Sequence, residues 1–277
     1  MNAFFHALAF FTRIPVPWLK PSEKAWRESV AWYPAVGLVI GCVLWAVYQL
    51  SLWAFSPLLA AVLTCAVWVY ITGGLHLDGW MDLADGLGSS RSRERMLEIM
   101  KDSRSGAMAV LAAILLLLIK TAGLVELAPP SVVPAQVIHQ VYSAILYNTA
   151  HDNALLVRLS ADWSILLLIV PFAARTHVLL AIRFWPYASS DNGIGKGISE
   201  GLRLWHIAFA YVILLGLSWW LADFRAVTAV LVSLLFSLWF ARGITRRLGG
   251  LTGDCYGAII ESSEAVMLVV LAGSWWG

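Results

Sequence analysis

AMAVLAAILLLLIKTAGLVEL, residues 107–127, is the stretch that decides the fold class of this chain. Its only charged residues are Lys120 and Glu126, and it is long enough to cross a bilayer as a helix, which requires about 20 apolar residues. Six similar segments surround it. We predict seven spans, at about residues 32–55, 57–77, 107–127, 163–184, 205–221, 226–241 and 257–275.

The composition supports the same interpretation. Of the 277 residues, 60% are hydrophobic and only 13% are charged, whereas soluble domains contain about 25% charged residues. We therefore expect an all-α fold: a polytopic transmembrane helical bundle forming a single integral-membrane domain over residues 1–277. The net charge of +2 gives no reason to expect nucleic-acid binding. The three cysteines are far apart in the sequence and predict neither a disulfide framework nor a zinc site.

Basic residues fall in alternate loops between the predicted spans. This pattern is the positive-inside signature. It predicts a multi-pass protein of the inner (cytoplasmic) membrane with its N-terminus in the cytoplasm. The residues on the predicted cytoplasmic side are Arg13, Lys20, Lys24, Arg27, Arg91, Arg93, Arg95, Lys101, Arg104, Arg183, Lys196, Arg203, Arg242, Arg246 and Arg247.

The densest acidic cluster is GGLHLDGWMDLADG, residues 73–86. At about 100° per residue, Asp78, Asp82 and Asp85 share one face of a helix. Carboxylates this close repel each other unless a cation lies among them, and hard oxygen ligands favour magnesium, calcium or manganese over zinc. The alternative is a solvated helix end. The glycines around the acids favour a ligand site, because they let the backbone approach a ligand closely.

Two further clusters lie on the same predicted side. RSRERMLEIMKDSRSGA, residues 91–107, predicts an interfacial helix followed by a loop with Asp102 and Arg104, whose basic residues bind either phosphate or anionic lipid. RRLGGLTGDCYGAIIESSEA, residues 246–265, places Asp254 in a turn and Glu261 and Glu264 inside the last span. Intramembrane acids usually mark functional sites; the alternative is helix packing through protonated side chains.

Carboxylates, arginines and glycines from separate loops thus meet at one membrane face. This is the combination that phosphoryl transfer requires. From the residues alone we expect a metal-dependent membrane enzyme acting on a phosphate ester or anhydride. A transporter is the competing hypothesis, since intramembrane acids and broken helices also suit ion coupling.

Three stretches together resemble the cobalamin synthase family, adenosylcobinamide-GDP ribazoletransferase. They are FFTRIPVP (10–17), the long motif at 73–107 and LGGLTGDCYGAIIESSEA (248–265), and the resemblance extends from the N-terminus to about residue 127 and from about 164 to the end. It implies an integral membrane enzyme that uses Mg2+, joins adenosylcobinamide-GDP to α-ribazole or its 5′-phosphate, and releases GMP on the cytoplasmic face. The protein is expected to contact membrane lipid, and the sequence leaves open whether it forms a homo-oligomer. The motif Asp82-Leu83-Ala84-Asp85-Gly86 has a weaker similarity to CDP-alcohol phosphotransferases.

The resemblance and the clusters together suggest roles for individual residues. As a hypothesis, Asp82 or Asp85 is catalytic and takes the proton of the attacking hydroxyl. The expected metal ligands are Asp78, Asp82 and Asp85, with Asp102, Asp254, Glu261 and Glu264 completing or orienting the site. The expected substrate-binding residues are Arg91, Arg104, Gly106 and Lys196. The family usually has Tyr-Ala-Arg where this chain has Tyr187-Ala188-Ser189, so a phosphate or substrate contact there is either lost or supplied by Arg183 or Lys196.

Overall fold

The computed structural model describes residues 2–20, 22–129, 163–188 and 197–273. Within these ranges the secondary structure is helical, apart from one isolated bridge between Tyr187 and Leu251. The predicted all-α class is therefore confirmed. The α-helices are α1 Asn2–Phe11, α2 Glu23–Ser29, α3 Tyr33–Ala54, α4 Pro57–Ile71, α5 Leu75–Gly88, α6 Arg93–Ile99, α7 Ala107–Glu126, α8 Ile169–Phe184, α9 Leu204–Leu248 and α10 Gly253–Leu271.

Among the residues that the structure describes, five helical segments are long and apolar enough to cross a membrane, or six if a bent pair counts as one span. The polytopic membrane bundle is thus confirmed, whereas the number seven and the orientation of the N-terminus stay predictions. Large apolar side chains on α7 and α9, such as Leu118 and Trp239, are exposed, as expected for helices that face lipid. The five segments are Glu23–Ala54, Ala107–Glu126, Trp163–Phe184, Leu204–Ala222 and Phe224–Leu248.

The long helix α9 folds back on itself. His177 of α8 lies 2.8 Å from the hydroxyl of Tyr211 through Nδ1 and 3.0 Å from the hydroxyl of Ser233 through Nε2. These two α9 residues would be about 33 Å apart along a straight helix, at 1.5 Å per residue. Because both contact one imidazole ring, the two halves of α9 form the arms of a hairpin, as the separate spans predicted at 205–221 and 226–241 require.

The second predicted span, at 57–77, is not one straight helix. It breaks after Ile71, and α5 leaves the break at 88° to α4. Gly73 and Gly74, with φ of 65° and 72°, take the left-handed conformation that glycine adopts without steric cost. The prediction of an unbroken span is therefore wrong at this point, because two of the glycines assigned to ligand approach terminate a helix instead.

The last predicted span, at 257–275, corresponds to α10, which is almost entirely buried among the other helices. It is not among the five apolar segments, since Asp254, Glu261 and Glu264 all fall within its 19 residues. Helix α10 packs most extensively against α5, α8 and α9. A buried helix that carries acids at the centre of a membrane bundle is placed to serve function rather than to contact lipid.

Candidate active site

The acidic cluster lies at the end of the bundle where α7 and α10 begin. A Cβ atom on Gly79 would lie 2.7 Å from the carbonyl oxygen of Asp254, so the absence of a side chain lets α5 and α10 touch at this level. Helix α5 has 14 residues, about 21 Å at 1.5 Å per residue, too short to cross a bilayer alone. Its carboxylates therefore lie outside the five spanning segments, beside the loops rich in basic residues.

Asp82 is affected by all three of the other carboxylates in the cluster. Partial burial, followed by the charges of Asp78, Asp254 and Asp85, raises the pKa of Asp82 to about 7. Burial and the charge of Asp78 also raise the pKa of Asp254, although a hydrogen bond from Thr252 opposes this shift. The sequence predicted that Asp78, Asp82 and Asp85 share a face, and the structure adds Asp254 from α10 to the same group.

Asp85 has a structural partner as well as a place in the cluster. Its carboxylate accepts hydrogen bonds from the backbone amides of Gly106 and, at 2.8 Å, of Ala109. Asp85 thereby satisfies free amides in the first turn of α7, as a capping side chain does. Gly106, which the sequence suggested as a substrate contact, donates its amide to Asp85, and its contact with substrate stays a prediction.

The predicted phosphate-binding residues lie on the surface at this end. Arg104 is exposed and donates to both carboxylate oxygens of Asp102, at 3.0 and 2.7 Å. Those hydrogen bonds lower the pKa of Asp102 to about 2. Asp102 therefore holds Arg104 rather than joining the cluster around Asp82. Arg91 is exposed between α5 and α6, and Lys196 and Ser189 lie outside the described residues.

Glu261 and Glu264 do not join the Asp cluster. Lys120 lies 2.5 Å from a carboxylate oxygen of each, and Arg175 donates to the other oxygen of Glu264. All four side chains are buried, and the glutamates lie about two and three turns beyond Asp254 along α10. The expectation that these glutamates complete the metal site is thus not supported, because two basic residues from other helices already neutralise them.

His76 connects this ion-pair network to the active-site end of the bundle. Its side chain is buried, Nδ1 lies 3.3 Å from Nη2 of Arg175, and its ring packs 5.0 Å from that of Phe11. Arg175 can only donate, so Nδ1 accepts and the proton of a neutral ring lies on Nε2. The prediction that His76 packs and forms hydrogen bonds rather than binding metal agrees with this geometry.

A cavity of about 460 Å3 opens beside the cluster. Its lining is mainly aromatic and aliphatic, and Asp254 and Thr252 at the start of α10 provide polar groups. Asp254 therefore belongs both to the wall of the cavity and to the group of carboxylates around Asp82. The aromatic lining residues are Phe10, Phe11, Tyr33, Tyr187 and Tyr256.

The donor chemistry of the cluster suits a hard divalent cation, because its side-chain ligands would be carboxylate oxygens. The side chains as they stand do not form a ready ligand set: in the part of the chain that the structure describes, no three His, Cys, Asp or Glu side chains are grouped to hold a metal ion. A cation would have to draw these carboxylates closer together. Magnesium binding therefore stays a prediction.

Comparison with known proteins agrees with the motifs. Residues 3–272 match the family model described as cobalamin-5-phosphate synthase. The chain belongs to the cobalamin-5-phosphate synthase family. This family assignment confirms the resemblance inferred from the three motifs. No solved structure matches the chain significantly.

Relatives of this member of the cobalamin-5-phosphate synthase family match it over 97–100% of its length. A protein of Brevibacillus brevis is 58% identical over all of both chains. Proteins of Desulfitobacterium hafniense and a Polaromonas species are each 37% identical, over 97% of this chain and 96% and 95% of their own. All three are named adenosylcobinamide-GDP ribazoletransferase. These names describe transferases, which favours the enzyme over the transporter hypothesis.

Proposed function

We propose that this chain joins adenosylcobinamide-GDP to α-ribazole, or to its 5′-phosphate, and releases GMP. The products are adenosylcobalamin or its 5′-phosphate. The observation that carries this proposal is the position of Asp254, which connects the carboxylates around Asp82 to a nucleoside-sized cavity. The family names supply the substrates, and the site supplies the groups that phosphoryl transfer requires.

The transfer is one substitution at phosphorus. A ribose hydroxyl oxygen of α-ribazole forms a bond to the phosphorus on the cobinamide side of the pyrophosphate. The bond from that phosphorus to the bridging oxygen breaks, and its electron pair leaves with GMP. The hydroxyl proton passes to a carboxylate of the cluster, and we assign this role to Asp82, which lies among the charges of Asp78, Asp254 and Asp85; a general base must lie within hydrogen-bond reach of the hydroxyl.

The residues that would hold magnesium are Asp78, Asp82 and Asp254, together with Asp85. Although Asp85 accepts two amide hydrogen bonds, a carboxylate offers about four lone-pair sites, so its oxygens retain capacity. Mg2+ bound here would neutralise charge that develops on the pyrophosphate. The mutual repulsion of the carboxylates supports a cation at this place.

Arg91 and Arg104 are assigned to the phosphates of the corrinoid substrate. Both are exposed on the loops that surround the acidic cluster, and a guanidinium can bind phosphate through two parallel hydrogen bonds. Asp102 acts as a positioning residue, because it holds the guanidinium of Arg104 through two hydrogen bonds. The substrate phosphate would then compete with Asp102 or bind the remaining Arg104 donors.

We also propose that the protein lies in the inner membrane and that this end of the bundle faces the cytoplasm. The basic residues of the loops support that orientation. Single cysteines placed at Arg91 and at Phe224, which is exposed where α9 reverses, test it in a background without native cysteines. A membrane-impermeant maleimide should label position 91 only from the cytoplasmic side. Labelling of position 91 from outside intact cells would contradict the orientation.

Product analysis separates the enzyme from a transporter. Protein in detergent micelles, which have no compartments, is given adenosylcobinamide-GDP, α-ribazole and magnesium. Mass spectrometry should detect a corrinoid that carries ribazole, with an equal amount of GMP. Unchanged substrates, together with corrinoid uptake by proteoliposomes containing the same preparation, would contradict the transferase and support transport.

A further inference from the structure

The cavity beside Asp254 has a rigid aromatic wall. The rings of Phe11 and Tyr33 lie 4.4 Å apart edge to face, and Phe10 packs edge to face against Phe11 at 5.1 Å. The ring of His76 also packs against Phe11, with the ring centres 5.0 Å apart. Aromatic side chains fixed by such contacts present flat apolar surfaces with little freedom to rearrange, which suits a flat apolar ligand.

The size of the cavity limits which substrate can occupy it. Pockets for small organic ligands have volumes of about 300–1,000 Å3, and this one, at about 460 Å3, falls in the lower part of that range. A benzimidazole nucleoside fits such a space. Adenosylcobinamide-GDP, which carries a corrin ring, an adenosyl group and a guanine nucleotide, does not fit and must bind mainly outside it.

The polarity of the cavity gives the ligand a direction. The apolar part is formed mainly by the aromatic residues together with Val178, Ile182 and Ile260, whereas the polar and charged lining residues are Thr252, Asp254, His76 and Lys101. Asp254 also lies beside the carboxylates around Asp82. A ligand with a flat apolar ring and a sugar would therefore place its ring among the aromatic residues and its hydroxyls toward the acidic cluster.

We infer that this cavity is the acceptor site, in which the heteroaromatic base of α-ribazole packs among Phe11, Tyr33 and Tyr256 and the ribose reaches Asp254. The inference rests on the proposed function. It adds that the aromatic cavity selects the base, while the corrinoid substrate binds on the open loops.

Lys101 extends the inference to the phosphorylated acceptor. It lines the cavity and is exposed at its rim, where a 5′-phosphate on the ribose would meet its positive charge. Lys101→Met should raise the KM for α-ribazole 5′-phosphate by a larger factor than the KM for α-ribazole, because only the former carries the phosphate. An equal change in both KM values would place the 5′-phosphate elsewhere.

Filling the cavity tests the acceptor site. Ile260→Phe fills its interior, and Leu97→Trp fills its rim from the surface helix α6. Val269→Phe is the matched control, because Val269 lies on the same helix as Ile260 but is 47% exposed on its outer face. The KM for α-ribazole should rise about tenfold or more in both filled variants, since a misfit in a close-packed pocket is poorly tolerated. The KM for adenosylcobinamide-GDP should stay within about twofold of the control.

The two KM values distinguish the outcomes. An unchanged KM for α-ribazole in both filled variants, or a rise only for the corrinoid, would overturn the acceptor site. If Ile260→Phe does not fold, Leu97→Trp decides, because it changes a partly exposed residue.

Equilibrium dialysis with α-ribazole and no corrinoid provides a readout that does not depend on turnover. If α-ribazole binds the unmodified protein but not Leu97→Trp, the acceptor site is supported. This holds even if no GMP is released, because the absence of GMP release would contradict only the proposed reaction. Equal binding by the unmodified protein and Leu97→Trp would overturn the site.

Discussion

The backbone amide of Gly106 donates a hydrogen bond to the carboxylate of Asp85, and this contact ties the end of α5 to the start of α7. The amide of Ala109 donates to the other oxygen of the same carboxylate. Because both amides are among those that a helix leaves unsatisfied at its N-terminus, Asp85 fixes α5 against the bundle. The neighbouring Asp82 is thereby held in position as well.

Removing this contact should destabilise the protein. Asp85→Ala should lower the free energy of unfolding by about 1 kcal/mol, the usual cost of losing an N-cap acceptor. Asp85→Asn retains one acceptor oxygen and should cost less, while losing the charge that we assign to the metal site. Thermal unfolding in detergent measures the first effect and GMP release the second. Equal unfolding temperatures for Asp85→Ala and the unmodified protein would contradict the capping role.

The role of Asp82 is tested by its isosteric amide. Asp82→Asn should reduce the rate of GMP release by about 100-fold or more, the scale seen when one key electrostatic group is removed from an active site. The variant should still insert in the membrane, because the repulsion around Asp82 decreases. Activity retained by both Asp82→Asn and Asp85→Asn would rule out these carboxylates as the catalytic pair.

The buried ion pairs should contribute strongly to stability. Glu264→Gln leaves the charges of Lys120 and Arg175 only partly compensated, and loss of one partner from a buried pair costs about 3–5 kcal/mol. The exposed pair of Arg95 and Glu98 is the matched control, and Glu98→Gln should cost less than about 1 kcal/mol. Similar unfolding temperatures for the two variants would show that the network contributes little.

The contact of α5 with α10 depends on Gly79. Gly79→Ala places a methyl group about 2.7 Å from the Asp254 carbonyl oxygen and should cost about 1–3 kcal/mol through overpacking. It should also reduce GMP release by displacing Asp254. Gly216→Ala is the control, since no atom lies within 4 Å of its added methyl group, and it should stabilise α9 by about 0.5–1 kcal/mol. Destabilisation by Gly216→Ala and not by Gly79→Ala would contradict the packing that we describe.

The sequence predicts the helices of this fold and the reversal of α9 well, but not the bend between α4 and α5. Long apolar runs set the positions of α3, α7 and α8, because only a helix satisfies its backbone in lipid. The break at Gly73 and Gly74 was visible as two glycines, but an apolar run continues through it. Tertiary packing decides whether a glycine ends a helix or lets a neighbouring helix approach closely. The spacing of residues in the sequence does not reveal that packing.

The candidate site was predicted in part for a similar reason. The spacing of Asp78, Asp82 and Asp85 is local, so the helical period predicts their common face. The pairing of Glu264 with Arg175 joins residues 89 positions apart, and no local pattern encodes it. A signal was nevertheless present: Lys120 and Arg175 are basic residues inside apolar spans, where charges usually pair with one another.

The most direct test of the central claim is GMP release by purified protein in lipid, measured while α-ribazole and magnesium are each withheld in turn. We expect GMP release only when adenosylcobinamide-GDP, α-ribazole and Mg2+ are all present, its loss with EDTA, and its recovery when magnesium is restored. GMP release that persists without α-ribazole or in EDTA, or a complete mixture that releases none, would contradict it.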